Sequence, residues 1–417
     1  MQRDDGSREG AGSARVRGGV WCLVAVLATG WAPRVLPAQA PRAAGVVPGI
    51  EVLLSDSLHL IRGKRVGLLT NHSGRDRAGT STIDRLYRAP GVKLTALFGP
   101  EHGLRGVAKA GEKVATTTDS ATGVPVYSLY GDVQVPTPEM LKDVDVLVYD
   151  IQDVGARVYT FEWTLALAAA AVKRPVIVLD RPDPIRADRV EGNLLDRRFA
   201  SLVGQYPVAL RYGLTPGELL RYLVGTGELS AEVTVIPMKG YRRSMWYDET
   251  GIPWVNPSPN LRSLTQAILY PGVGMIESAN VSVGRGTATP FEIIGAPWIA
   301  GDRLARYLSG RHLPGVGFEP VTFTPGASPY AHQRCGGVRL KVTDRAALDV
   351  ASLGVELAAA LYRLYPGKFL IDKTVGMIGS RQVLQSIKNG DDPRVIERRW
   401  QPGLEAFGRL RARYLLY

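Results

Sequence analysis

The sequence predicts an α/β fold, a parallel sheet built from βαβ units and followed by a smaller α+β domain. Three observations predict it. Four runs in the first half are continuously apolar and rich in Val, Leu and Ile, as strands buried on both faces of a parallel sheet must be. Each run stops abruptly in polar or ionisable residues, and helical patterns lie between the runs.

The first run, Arg65 to Thr70, ends before Asn71 and His72, and Thr80 to Tyr87 then reads as a helix. The second, Val92 to Phe98, runs into the tract FGPEHGLRG, which sets Glu101 and His102 between Gly99 and Gly103. A short helical pattern, Pro138 to Leu141, precedes the third run, Val144 to Tyr149, which ends before Asp150, Gln152 and Asp153. The clearest helix, Arg157 to Val172, has an alanine-rich centre suited to close packing on a sheet. The fourth run, Val176 to Leu179, ends before Asp180, Arg181 and Asp183. Ligands of such sheets bind outside the carboxyl ends of the strands, so four polar ends gather at one rim. Beyond Ser263 the alternation gives way to the glycine-rich tract YPGVGMIESANVSVGRGTATPFEIIGAPW; Val338 to Val342 then reads as a strand and Ala351 to Tyr365 as an amphipathic helix. The sheet domain is thus expected over 47–262 and the second domain over 263–417.

A chain of 417 residues, 45% hydrophobic and with a formal charge of +12, can bury a full core and favours anionic partners. Its cations are scattered, without the Lys/Arg block or finger motif of a nucleic-acid binder, so no nucleic-acid partner is expected. Arg3, Arg8, Arg15 and Arg17 precede the apolar stretch Val20 to Ala32, and Ala38, Gln39 and Ala40 supply a peptidase site. Residues 1–40 therefore read as a signal peptide cleaved after Ala40, with export to the periplasm or beyond. The apolar stretch is shorter than the ~20 residues a spanning helix needs, and no stable membrane insertion is expected after cleavage. Cys22 leaves with the signal, and Cys335 alone makes no internal bridge.

There is no phosphate loop, paired-histidine metal helix, serine nucleophile elbow or dinucleotide glycine pattern, and no cofactor is expected. What remains is a rim of carboxylates, amides and arginines, the set that glycoside hydrolysis requires: a carboxylic acid to protonate the leaving oxygen and commonly a second carboxylate. Glu101 is the first candidate for the acid, in a turn fixed by Pro100 and Gly103. An acid working near neutral pH needs surroundings that favour its protonated form, which partial burial supplies. The competing reading makes Glu101 a cap of the following segment.

FGPEHGLRG, DIQDVGARVYTFEWTL (Asp150 to Leu165), LDRPDPI (Leu179 to Ile185), EGNLL (Glu191 to Leu195), PSPNL (Pro257 to Leu261) and the tract from Tyr270 to Trp298 together resemble the exo-β-N-acetylmuramidase family, from about Val47 to Tyr417. The resemblance implies a Rossmann-like domain joined to a smaller C-terminal domain, with the site in the cleft between them. It implies release of N-acetylmuramic acid from the non-reducing end of peptidoglycan fragments, with Glu101 matching the glutamate of the family's PEHG turn. The family often has asparagine in its DRPNP turn, where this chain has Asp183.

Muramic acid carries a lactyl carboxylate, and arginine offers a planar fork for it, which nominates Arg157, Arg181 and Arg285. Their structural alternative is ion pairing, Arg157 with Asp150 or Asp153 and Arg181 with Asp183. Asp150, Gln152 and Asp153 offer groups to orient water or cap a helix, and Glu277 a second carboxylate or a loop anchor. His102 is a candidate to tune Glu101 or meet a sugar hydroxyl, and Asn71 and Asn260 supply amides for hydroxyls or for turns. Trp246, Trp254 and Trp298 have indole faces for a pyranose, or for the core. Two rival functions stand beside the glycosidase: a metal-dependent phosphoesterase or amidohydrolase using His72, His102, Asp150 and Asp153, and a non-catalytic peptidoglycan-binding protein.

Overall fold

The computed structural model describes residues 45–106, 112 and 117–417, together with Arg15 and Gly19; otherwise the expected signal segment and its cleavage site lie outside the described residues. Strands β1 (Arg65–Thr70), β2 (Lys93–Gly99), β3 (Thr117–Thr118), β4 (Pro125–Ser128), β5 (Val146–Asp150) and β6 (Val176–Leu179) are followed by the β7–β8 ribbon (Glu191–Leu194, Ala209–Arg211) and by β9 (Val233–Ile236). The sheet runs β3-β4-β2-β1-β5-β6-β9, parallel throughout except at the β3–β4 edge. β1 sits between β2 and β5, so the crossovers leave it in opposite directions and open a crevice at the strands' carboxyl ends.

The helices are α1 (Gly49–Asp56), α2 (Thr82–Tyr87), α3 (Phe161–Ala171), α4 (Pro216–Gly225), α5 (Leu264–Gly274), α6 (Gly301–Ser309), α7 (Val350–Leu364), α8 (Val375–Ile378), α9 (Arg381–Lys388) and α10 (Pro393–Arg411). Successive strand residues face opposite sides of the sheet. Val66, Leu68, Val146 and Val148 therefore join one apolar cluster with Ile50 and Leu53 of α1, while Leu69, Leu147 and Tyr149 join another. That second cluster continues through Trp163 into Val273, Met275 and Leu357, so a single core crosses the boundary expected near residue 263. Residues 44–417 form one unit. The second half supplies the antiparallel sheet β10-β12-β11 (Ile293–Ala296, Cys335–Val342, Val316–Phe323).

Several local expectations change. The long helix begins at Phe161 rather than Arg157, because the Arg157 N–H donates to the Leu210 carbonyl at 2.8 Å and Ala156 bridges Arg211. Residues 138–143 form turns instead of a helix. The glycine-rich tract opens inside α5, which continues through Pro271 to Gly274. Its glycines serve close approach: a Cβ on Gly272 would collide with the Val350 carbonyl, and one on Gly354 would lie 2.6 Å from Met275 Sδ. α5 and α7 thus pack nearly backbone to backbone.

Candidate active site

β2 ends at Gly99, and the chain reverses through Pro100–Gly106 with His102, Gly103 and Gly106 all at φ near +70°. Gly106 packs so closely against the His72 ring that any side chain would clash, and His72 Nε2 sits 2.6 Å from the Asn256 carbonyl oxygen. The turns after β1 and β2 are thereby locked to each other and to the 256–261 segment. Burial pushes the His72 pKa below the usual histidine value.

This turn carries Glu101 into a cavity of about 250 Å³ lined also by His102, Thr160, Tyr270, Glu277 and Arg285. Glu101 Oε2 accepts a hydrogen bond from Thr160 Oγ1 at 2.8 Å. Opposite it in sequence, Arg285 Nε donates to Glu277, and the guanidinium lies 5.2 Å from the Phe291 ring centre. Burial alone would weaken the arginine's charge; the Glu277 carboxylate, with Tyr270 and Glu101 adding, more than offsets it and raises the pKa. Tyr159, Tyr270 and Phe291 stack edge to face at 5.7 and 4.9 Å, and Tyr270 Oη donates to the Val158 carbonyl at 2.9 Å, so one wall is rigid and aromatic. A larger groove of about 820 Å³, beside Glu51 and Arg77, shares no residue with this cavity, and its cations are engaged: Arg77 with Glu51 at 2.7 Å, Arg85 with Asp76 at 3.5 Å.

Of the residues expected at the site, Glu101, His102, Glu277 and Arg285 converge in the cavity. The others go elsewhere. Asp150 is fully buried and binds Arg181, whose Nη2 reaches Asp150 Oδ2 at 3.0 Å and the Arg75 carbonyl at 2.7 Å. Thr82 also donates to Asp150, so neither partner of this pair faces the cavity. Arg157, equally buried, meets no carboxylate among the described residues: it donates to the carbonyls of Asn193 at 2.7 Å and Ile378 at 2.8 Å, stapling distant segments together. Burial with no counter-ion pushes its pKa down to about 9.

Asn71 Oδ1 accepts from Ser73 N and Oγ at 2.9 and 2.6 Å, a turn-forming role. Gln152 Nε2 donates to the Asp153 and Pro182 carbonyls, and Asp153 Oδ2 accepts from Gly155 N and the Tyr212 hydroxyl. Asp150 and Asp153 are therefore committed to protein partners rather than offered to His72 and His102 as a metal set. Among the described residues no group of three His, Cys, Asp or Glu side chains is arranged for a metal ion. Asn260 is half-buried outside the cavity lining, where Ser258 and Leu261 stand instead. The tryptophans also fall outside it: Trp246 lies under Arg345 at 4.8 Å, Trp254 packs on Tyr247 at 5.1 Å and Trp298 Nε1 donates to the Tyr330 hydroxyl at 2.9 Å.

Beneath the rim lies a set of buried carboxyls. Burial pushes Asp180 up to about 7, despite hydrogen bonds from Gly217, Tyr417 and Thr215, and Asp183 up to about 6. It raises Asp153 and Glu162 as well. Asp183 Oδ1 accepts from Ile185 N at 3.0 Å, while Oδ2 is buried without a partner. In its neutral form Asp183 can reproduce the shape of the asparagine often found at the family's corresponding turn. These folded-state values exceed the ordinary aspartate value of 3.8, so the folded form holds extra protons. The stability they contribute is complete below about pH 4 and is lost as the pH rises to about 7. The melting temperature is expected to fall between about pH 4 and about pH 7. Asp183→Asn is expected to match wild type at the acidic end and exceed it at the alkaline end; parallel melting profiles would refute this.

Thr160, Tyr159, Tyr270 and Ser258 line the cavity without having been singled out from the sequence. A threonine at a helix start reads as a cap, and an isolated tyrosine as core; the tracts containing them were the available signal.

The chain matches the family described as exo-beta-N-acetylmuramidase NamZ in two stretches, the N-terminal part over residues 66–265 and the C-terminal part over residues 268–417. It is 43% identical over 378 residues to the peptidoglycan beta-N-acetylmuramidase NamZ of Bacillus subtilis (strain 168), covering 89% of this chain and 91% of that relative. It is also similar to two crystal structures of DUF1343 family proteins from Bacteroides fragilis NCTC 9343. One has a TM-score of 0.83 at 38% identity, covering 89% of this chain and 99% of its own. The other has a TM-score of 0.74 at 30% identity, covering 90% and 99%.

Proposed function

The chain belongs to the exo-β-N-acetylmuramidase family and is a glycosidase, and from that premise we propose that it releases N-acetylmuramic acid from the non-reducing end of peptidoglycan fragments, with Glu101 as general acid. The observation that carries this reading is the convergence of Glu101 with the Glu277–Arg285 pair in one cavity. A glycosidic oxygen needs a proton donor at its leaving side, and Glu101 is the strand-end carboxyl that lines this space. At about 250 Å³ the cavity is smaller than the ~300–1,000 Å³ typical of drug-sized ligands, which favours one terminal sugar over a threaded glycan. The aromatic wall offers apolar surface to a pyranose.

Arg285 is the cation for the lactyl carboxylate. It engages Glu277 through Nε, and its remaining N–H groups are the donors for the substrate; Glu277 and the Phe291 ring hold the guanidinium in place. Arg285→Lys keeps the charge but loses the fork, and the KM for a muramic-acid glycoside is expected to rise roughly 10- to 100-fold with a smaller change in kcat. A fall confined to kcat would remove Arg285 from this role.

Export past the membrane, read from residues 1–40, fits a substrate of the cell wall. The direct test is incubation of the purified protein with a synthetic muramic-acid-terminated glycoside. Release of free N-acetylmuramic acid supports the reading; tight binding without release would favour a wall-binding protein instead.

A further inference from the structure

We propose that Thr160 is a positioning residue for the general acid, its hydroxyl holding the Glu101 carboxyl in place through Oε2. The inference rests on the reading of Glu101 given above and extends it to a second residue.

Thr160 occupies the N-cap position of α3, where a threonine ordinarily turns its oxygen back to accept from an N–H of the first helical turn. Other helices of this chain follow that pattern: Ser81 before α2, Ser263 before α5, Asp349 before α7 and Ser380 before α9 each accept such a bond. Thr160 does not. Its backbone is helical, at φ −89° and ψ −19°, and its side chain makes no capping bond. The hydroxyl instead crosses to the neighbouring turn and donates to Glu101 Oε2 at 2.8 Å. The backbone carbonyl of Thr160 is occupied by Thr164 N and Oγ1, each at 3.1 Å, so the hydroxyl has a contact of its own to make. A local helix-stabilising bond has been given up for one to a carboxylate in the cavity, the kind of broken local rule that marks functional positions.

A hydroxyl has one hydrogen. While it is donated to Oε2, that oxygen acts as an acceptor. The same bond fixes the carboxyl plane. Among the described residues, the other titratable groups lining this cavity are His102 on the same turn, Arg285 and Glu277 from the second half, and Tyr130, Tyr159 and Tyr270. None is altered by a change at Thr160.

The test uses the full chain, purified as wild type, Thr160→Val and Thr160→Ser, with kcat and KM for release of N-acetylmuramic acid and melting temperatures alongside. Thr160→Val is expected to lose roughly 10- to 100-fold in kcat with KM close to wild type, and to melt as wild type does, since the hydroxyl caps nothing. Thr160→Ser, which keeps the donor, is expected to restore the rate. Thr160→Ala replaces the valine variant should the second methyl crowd the fold. An unchanged rate, a loss confined to KM, or a loss that serine does not restore would overturn the proposal. Wild type that releases no sugar would bring down the glycosidase reading itself, whereas active wild type with an indifferent valine variant brings down only the role of Thr160.

Discussion

Glu101→Gln is expected to lower kcat by roughly 10²–10⁴-fold, the range lost with a general acid, while binding of a muramic-acid ligand stays close to wild type. The amide keeps the side chain's shape and can still accept from Thr160 Oγ1 through its oxygen, so the turn between β2 and the cavity has no reason to move. Arg285, which holds the carboxylate end of the sugar in this scheme, and Glu277, which holds Arg285, are untouched. What disappears is the proton for the departing oxygen. Calorimetric binding to the variant, set beside single-turnover release of N-acetylmuramic acid, separates the two effects. Near-normal turnover would remove Glu101 from the mechanism, and equal losses in binding and rate would make it a contact residue instead.

The second large effect concerns stability. Asp150→Ala is expected to cost about 3–5 kcal/mol of folding free energy, because it leaves Arg181 charged and buried with its main counter-ion gone. Both side chains are at most 2% exposed, so water cannot take the place of the carboxylate. Thr82 loses its acceptor too, which loosens α2 against the end of β5. Denaturant unfolding of the folded variant checks the magnitude, and its KM for the glycoside, measured where it remains folded, is expected to resemble that of wild type. A stable variant with a selective catalytic defect would return Asp150 to the active site.

The fold was legible because parallel strands buried on both faces leave a strong mark. β1 and β6 begin and end where the apolar runs do, at Arg65–Thr70 and Val176–Leu179. The glycine-flanked turn after β2 stood out for a comparable reason: a chain reversal with three demands for positive φ near +70°, at His102, Gly103 and Gly106, restricts the residues it can use. α3 was harder, since the capture of Arg157 N by the Leu210 carbonyl is a long-range contact that no periodicity records. The helical reading of 264–274 was obscured by Pro271 and two glycines, whose purpose emerges only when α7 lies against them.

The candidate site divides in the same manner. The sequence by itself determined four of the strands, their polar ends, the family and the strand-end glutamate, because these depend on local pattern and on motif. Tertiary structure alone decided which polar ends face open space. Asp150, Asp153, Arg157 and Arg181 look as reactive on paper as Glu101, Glu277 and Arg285, yet the first four are enclosed by carbonyls, hydroxyls and one another, while the last three border a cavity. The physical reason is that a buried charge must find its compensation in three dimensions, from strands and helices far away in the chain, and only the packed fold reveals which charges have already found it.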